Sequence, residues 1–441
     1  MMMIISHYCI GVIPLTQTPT LKTPSIWQNS SLIIFWAGQG ISLIGSAMAG
    51  ITLPLLVLAS TGSLAQMGVI AALSGTGALV ASLISGLLAD RVNRRMLLII
   101  CDTLNMLAYA AIPLTWFFFG PNLPLLYILS PLLGFLGITF FIGFSATVTN
   151  IVEREQLTPA NSLLQGTSAF AGIVGPVLAG ITIASIGAVA VMGLNAISFA
   201  VSVISLSFVR TTTASKVQER VAEKPGWVAA FLGGLRFIAS NPTLRWMVII
   251  RSGILVISSG SFAIILFRMR HDLGLSTNII GIILGAGALG AVLSSFIVSP
   301  IRRRFGFGFC FLGGATLVAF SSILYGIAPA GMFPLSFAAS IAFAAPVMIL
   351  AELLASFGDN LIVINTMSLR QALTPDQLQG RVTAFLQLTI WVLAPVMTAV
   401  STLLAAKVGT TAVLVGVGII SLLLVALGVF TPVRLAHPEN A

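Results

Sequence analysis

Residues 31–59, 65–89 and 96–119 form three successive apolar runs in which Asp102 is the only charged residue. About 20 apolar residues suffice to cross the hydrocarbon core of a bilayer. Backbone polar groups there find no water, so each run must satisfy them internally and is predicted to be a helix. The pattern continues to the end of the chain. Overall, 57% of residues are hydrophobic and 7% charged, against roughly a quarter charged in a soluble domain. Such a chain has no adequate surface for water, and its solvent is the bilayer.

The predicted spans continue at 125–152, 162–186 and 187–209. Residues 210–226 are polar and carry Lys216, Glu219, Arg220, Glu223 and Lys224. Residues 226–240 place Trp227, Phe231, Leu235 and Ile238 at helical spacing. They fit either a helix lying on the inner membrane surface or an extension into the next span. Further spans are expected at 244–267, 279–299, from 307, at 346–369, 382–408 and 411–430, with 328–345 as the end of the ninth helix and an apolar outer connection. Leu157-Thr158-Pro159 recurs as Leu373-Thr374-Pro375 after 216 residues, and Arg94 matches Arg304 after 210. Two similar offsets indicate a six-helix unit used twice, an architecture of transporters. The expected fold is an all-α membrane protein of twelve transmembrane helices in two six-helix bundles. Its parts are a cytoplasmic leader (1–30), the first bundle (31–210), a linker (211–243), the second bundle (244–431) and a tail (432–441).

Charge orients this arrangement. Of 21 Lys and Arg residues, Arg268, Arg270 and Lys407 fall on one face and Arg251 within a helix; the others lie on the opposite face. Cationic loops stay inside, so a multi-pass protein of the cell membrane with both termini cytoplasmic is expected. The leader carries its one cation, Lys22, after its apolar patches, unlike a signal peptide. The net charge of +10 is scattered through loops and forms no basic stripe, which argues against nucleic acid as a partner. Cys9, Cys101 and Cys310 are too far apart to suggest a disulfide frame or a metal site.

No lysine follows a glycine, so a phosphate loop is absent, and histidines at 7, 271 and 437 cannot form a His-x-x-x-His pair. No nucleophile–base constellation appears. An ion-coupled or facilitated carrier remains, with no cofactor or metal and with a small molecule, protons and lipid as partners; the expected unit is a monomer. Ionisable groups inside a membrane are costly and are functional candidates by default. They are Asp102, Arg251, Glu352 and Asp359. Seven residues separate Glu352 from Asp359, which places both on one helical face about 10 Å apart. Desolvation favours the protonated form of a carboxyl group. Asp359, with Glu352 or Arg251, is therefore the candidate for binding a proton or a cationic group. The alternatives are a solvated turn at Gly358-Asp359-Asn360 and an Arg251 that snorkels to the inner surface. Asp102 is expected to pair with one of the inner arginines. Gly175, Pro176 and Gly180 permit either a bend in helix 5 or close packing.

The segment Gly86-Leu-Leu-Ala-Asp90-Arg91-Val-Asn-Arg94-Arg95 resembles the loop between helices 2 and 3 of the major facilitator superfamily, with Asn93 where glycine is usual. Asn tolerates the left-handed turn. Gly175-Pro176 with Gly180 resembles part of the helix 5 motif of its antiporter branches, although Ser162, Ala171 and Ala179 replace glycines. Thr158-Pro159-Ala160-Asn161 and the stretch from Gln371 to Asp376 through Gly380-Arg381-Val382 resemble the branch of macrolide-efflux and enterobactin-exporter-like proteins. The resemblance implies alternating access and proton-driven export of an apolar or amphipathic drug, macrolide or siderophore. It also implies that Asp90 touches the inner start of helix 11, near Arg381, to hold a cytoplasmic gate closed. Phe140, Phe141, Met192, Phe199 and Met348 are candidates for a permissive pocket. Uptake of a metabolite, or a non-transporting sensor or scaffold, are the competing readings.

Overall fold

The computed structural model describes residues 26–91, 93–152, 156–209, 227–329 and 337–436, and among them there is no strand. The predicted leader before residue 26 and the polar linker 210–226 lie outside the described residues. Helices 1–6 are Ser30–Thr61, Leu64–Arg91, Arg94–Phe119, Leu123–Ile151, Leu157–Ile186 and Ala188–Phe208. Caps set several boundaries. Asn29, Asn122 and Asn241 each accept a hydrogen bond from the backbone N–H three residues on, satisfying one orphan donor of the helix that follows. Asn93 does the same for Arg95 N–H at φ −56°, so it is a helix cap and not a left-handed turn residue. An amide side chain replaces the expected glycine geometry.

A linker helix, Trp227–Ser240, precedes helix 7. Helix 7 runs Pro242–Ser258, resumes at Ser261–Phe267 and ends in a π-helical turn, Arg268–Asp272. Helices 8 and 9 form one run, Thr277–Ile327, interrupted only at Gly306, whose φ of 81° and ψ of 177° suit glycine alone. The expected inner loop at Arg302, Arg303 and Arg304 is thus the last turn of helix 8, and a single residue reverses the chain. Helix 10, Phe337–Leu373, begins before Pro346, because a proline within a membrane helix is tolerated where neighbouring helices re-satisfy the backbone. The apolar connection expected at 328–345 includes 330–336, which lie outside the described residues. Helices 11 and 12 are Asp376–Val408 and Thr410–Val429.

Helices 1–6 and 7–12 form two bundles that meet along two seams, helix 5 on helix 8 and helix 2 on helix 11. A Cβ on Gly281 would lie 2.5 Å from the carbonyl oxygen of Pro176, one on Gly180 equally close to Thr277 O, and one on Gly75 2.7 Å from Pro395. Lipid supplies no hydrophobic drive between helices, so such backbone contact at small residues is what holds them together. All these contacts lie in the half of the molecule remote from Arg94 and Arg302–Arg304. There one apolar core spans both bundles, joining Leu55, Met67 and Met192 to Ile264, Ile283 and Met348. Toward the arginine-rich face the cores are separate. Leu32, Phe35, Leu98 and Leu206 pack in the first bundle, and Leu244, Met247, Phe311 and Val382 in the second. Among the described residues, a shared core thus joins the bundles at one face, and each has its own core toward the other.

Candidate functional site

Helix 10 is unbroken through Gly358-Asp359-Asn360, which excludes the turn reading. Gly358 is there for contact, since a Cβ would lie 2.6 Å from the carbonyl oxygen of Gly314 on helix 9. That packing fixes the next residue. Asp359 meets Arg251 of helix 7, with Nη1 2.7 Å from Oδ1 and side chains 53% and 16% exposed respectively. Arg251 therefore pairs across the bundle and does not snorkel. Both line a cavity of about 590 Å³ together with Ser258, Ser259, Ser356 and Asn360. Asn360 Nδ2 donates to Ala291 O at 2.8 Å and to Ser294 Oγ at 2.6 Å, tying this wall to helix 8.

Glu352 takes a different environment. It accepts a hydrogen bond from the Tyr325 hydroxyl of helix 9, and its Oε1 would be 2.6 Å from a Cβ on Gly287 of helix 8. At this depth helices 8, 9 and 10 close around it, whereas at Asp359 the bundle opens. The two carboxyls share a helical face but not a site.

Asp102 is buried and has no arginine partner. Ser202 Oγ donates to its Oδ2 at 2.5 Å, Gln39 Nε2 donates to Ser202 Oγ at 2.7 Å, and Oδ1 has no hydrogen-bond partner. The expected arginine pairing fails because Arg95 is engaged elsewhere. Its Nε donates to Leu206 O at 2.8 Å and its Nη2 to Ser207 O at 2.5 Å, carbonyls at the end of helix 6.

The side chains of Gly86, Asp90, Arg91 and Gly380 lie outside the described residues; the backbone of 86–91 is the last part of helix 2. Arg94 opens helix 3 on the same face. Arg381, in helix 11, is braced by the linker helix, where a Cβ on Gly233 would lie 3.2 Å from its Cδ. Helix 5 runs continuously through Gly175, Pro176 and Gly180; Gly175 approaches Ala47 of helix 1, with a Cβ at 2.5 Å, while Gly180 approaches helix 8.

Two features escaped the sequence, wholly or in part. Arg268, expected in an exposed loop, is 3% exposed. It donates to Thr410 and Thr411 hydroxyls at 3.0 and 2.7 Å and to the carbonyls of Gly326 and Ala328 at 2.7 and 2.8 Å, with Asp272 at 3.8 Å. It thereby ties together the ends of helices 7 and 9 and the start of helix 12. An Arg–Asp pair four apart was the available signal. The second was anticipated only in part: Phe140, Phe141 and Phe199, among the pocket candidates, line a cavity of about 590 Å³ inside the first bundle, but the amides Gln39, Asn105, Asn161 and Gln165 beside them were not foreseen. Met192 and Met348 do not line it. They are fully buried in the core that joins the bundles. Among the described residues no group of three or more His, Cys, Asp or Glu could hold a metal ion.

A family model described as Major Facilitator Superfamily matches residues 35–398. The multidrug efflux pump Tap of Mycolicibacterium fortuitum is 30% identical over 239 residues, covering 53% of this chain and 56% of that protein. The enterobactin exporter EntS of Salmonella choleraesuis is 23% identical over 255 residues, 58% of this chain and 60% of the other. The matched region thus spans little more than half of either relative. Among solved structures, an inward-facing bacterial homologue of the iron transporter ferroportin superposes with a TM-score of 0.67 at 16% identity, covering 92% of this chain and 99% of that one. The nucleoside transporter NupG superposes with a TM-score of 0.69 at 13% identity, covering 90% and 98%. These two likenesses concern the fold.

Proposed function

The chain belongs to the major facilitator superfamily, whose members are transporters and not enzymes, and we propose that it is a proton-coupled exporter of a small amphipathic compound. The observation that carries this reading is the asymmetry of the two bundles. Among the described residues one apolar core joins them at one face, separate cores stand toward the arginine-rich face, and the Arg251–Asp359 pair stands in a cavity. The charge rule favours a cytoplasmic arginine-rich face, and this reading takes both termini to be cytoplasmic in a protein of the cell membrane. The names of the partial relatives Tap and EntS favour export over uptake.

In this reading Asp359 carries the coupling proton. While ionised it holds Arg251 at 2.7 Å. Protonation removes the charge attraction, frees Arg251 to turn, and changes which wall of the cavity carries charge. Asp359 is half exposed in the cavity, so its proton can be exchanged there. Glu352, closed in by Tyr325 and Gly287, supports helix 10, and Asp102 serves the first bundle. The cytoplasmic gate would close through Asp90 at the end of helix 2 and the N-terminus of helix 11. A carboxylate is stabilised at such a terminus, and Arg381 is held there by the linker helix. Helix 5, with Gly175, Pro176 and Gly180, would pivot on helices 1 and 8.

The test uses inside-out vesicles energised by an imposed proton gradient and a panel of fluorescent amphipathic compounds, cationic and neutral. Accumulation of at least one compound is expected, abolished by a protonophore and lost in Asp359→Asn. Gradient-driven movement that survives Asp359→Asn removes the coupling assignment, and no movement of any compound by folded protein removes the export reading.

A further inference from the structure

The cavity of the first bundle differs in chemistry from that of the second. No charged side chain lines it among the described residues. Four amides reach it from three helices: Gln39 of helix 1, Asn105 of helix 3, and Asn161 and Gln165 of helix 5. Aromatic rings complete the walls, with Tyr109 stacked on Phe199 at 5.7 Å and Phe140 beside Phe144 at 5.9 Å. Its volume, about 590 Å³, falls in the range of roughly 300–1,000 Å³ that accommodates drug-sized ligands. It extends to Val148 and Asn161, near the ends of helices 4 and 5 on the arginine-rich face.

Gln39 is the informative residue. Its amide nitrogen is committed to Ser202, which in turn donates to Asp102. Two buried hydrogen bonds from three helices thus fix the orientation of one amide. The amide oxygen is left as an acceptor for whatever fills the cavity. Asp102 acts here as a positioning residue, reaching the cavity through Ser202 and Gln39 and not lining it. We propose that this cavity is the cargo site, and that its cargo is an uncharged aromatic compound bearing several hydroxyl or amide N–H donors. This rests on the export reading above and narrows it.

The composition of the walls carries the choice. A purely apolar cargo would leave the amides without partners in a desolvated pocket, and sites built to hydrogen-bond a hydroxyl reject analogues lacking it far more strongly than apolar pockets reject added groups. An anion would meet no positive charge among the described lining residues and would face Asp102 behind Gln39. A cation would lose its hydration with no carboxylate in contact. The rings supply stacking surfaces for a planar body.

The experiment measures binding to the purified full chain in lipid nanodiscs without any gradient, in mildly acidic buffer, using three probes. They are a trihydroxyflavone, its trimethyl ether, and tetraphenylphosphonium. The trihydroxyflavone is expected to bind about tenfold more tightly than the ether, the worth of one good hydrogen bond, and more tightly than the phosphonium. Gln39→Leu and Ser202→Ala should each reduce the preference for hydroxyl over ether toward unity, a ratio that general structural damage does not move. If buried Gln39→Leu does not fold, Gln165→Leu at the open side of the cavity should lower affinity for the hydroxylated probe while sparing the ether. Equal binding of the ether, tighter binding of the phosphonium, or a preference that survives these substitutions overturns the proposal. Binding of the trihydroxyflavone without gradient-driven transport would leave the site standing and remove the export reading; transport of the panel without such binding would do the reverse.

Discussion

A charged side chain in a membrane helix must find partners, and the four ionisable residues singled out from the sequence do so in three ways. Asp359 finds a cation, Glu352 a phenol, and Asp102 a hydroxyl relayed from an amide. Their importance was legible because any charge in an apolar run is conspicuous. Arg251 was legible as a partner of Asp359 for the same reason, but the other partners were not, since Tyr325, Ser202 and Gln39 lie on other helices and carry no local signal. Arg268 shows the converse error. Near the end of a span it reads as a loop cation, yet a π-helical turn directs it inward to four oxygens on helices 9 and 12. Losing one partner of a buried charged network typically costs about 3–5 kcal/mol. Arg268→Ala should therefore lower the melting temperature of the detergent-solubilised protein by several degrees. Arg268→Lys should recover little, because a compact ammonium cannot span hydroxyls and carbonyls on both sides as the planar guanidinium does. An unchanged melting temperature for Arg268→Ala would show that the network adds nothing to stability.

At the scale of the helix, span existence was legible throughout, because apolar length alone dictates it, whereas ends were legible only where a cap or glycine marked them. Pro346 read as a start because proline favours the first turn; inside a membrane bundle the helix instead continues through it. The arginines at 302–304 read as a loop because charge implies exposure, yet Gly306 alone makes the turn. The seams were legible only on the side of helix 5, where Gly180 allowed close packing; its partners on helix 8 were not. Gly281 looks like any other small residue of helix 8, and only the structure shows the Pro176 carbonyl against it. This gives Gly281 a specific effect. A leucine there cannot fit against backbone, so helices 5 and 8 must separate on the face remote from the arginines. Gly281→Leu should then populate the form parted at that face, seen as faster alkylation of a cysteine introduced at Val177, which faces Gly285 across the seam. Protection of that cysteine as strong as in the Gly281 background would mean that helix 8 adapts without opening.

For the whole molecule, the internal repeat made two bundles legible, since equal spacing of short motifs survives where little else does. It could not reveal which face is closed, because both states use the same helices and differ only in which ends touch. The asymmetry of the cores supplies that. A single apolar core bridges the bundles on one face, and two separate cores stand at the other. Rigid packing makes such an arrangement switch between discrete states and not deform smoothly. If the bundles rock about the central seams, closing the arginine-rich face must open the other. Spin labels at Met96 and Phe305, on helices 3 and 8 at the arginine-rich face, should therefore approach when cargo and a proton gradient drive turnover. Labels at Ile186 and Val408, at the far ends of helices 5 and 11, should separate in the same population. Distances that change together in sign, or only at one face, would mean that a local gate and not a rocking motion controls access. The Arg251–Asp359 pair would then have to act on that gate directly, through helix 7 or helix 10, and not through the bundle as a unit.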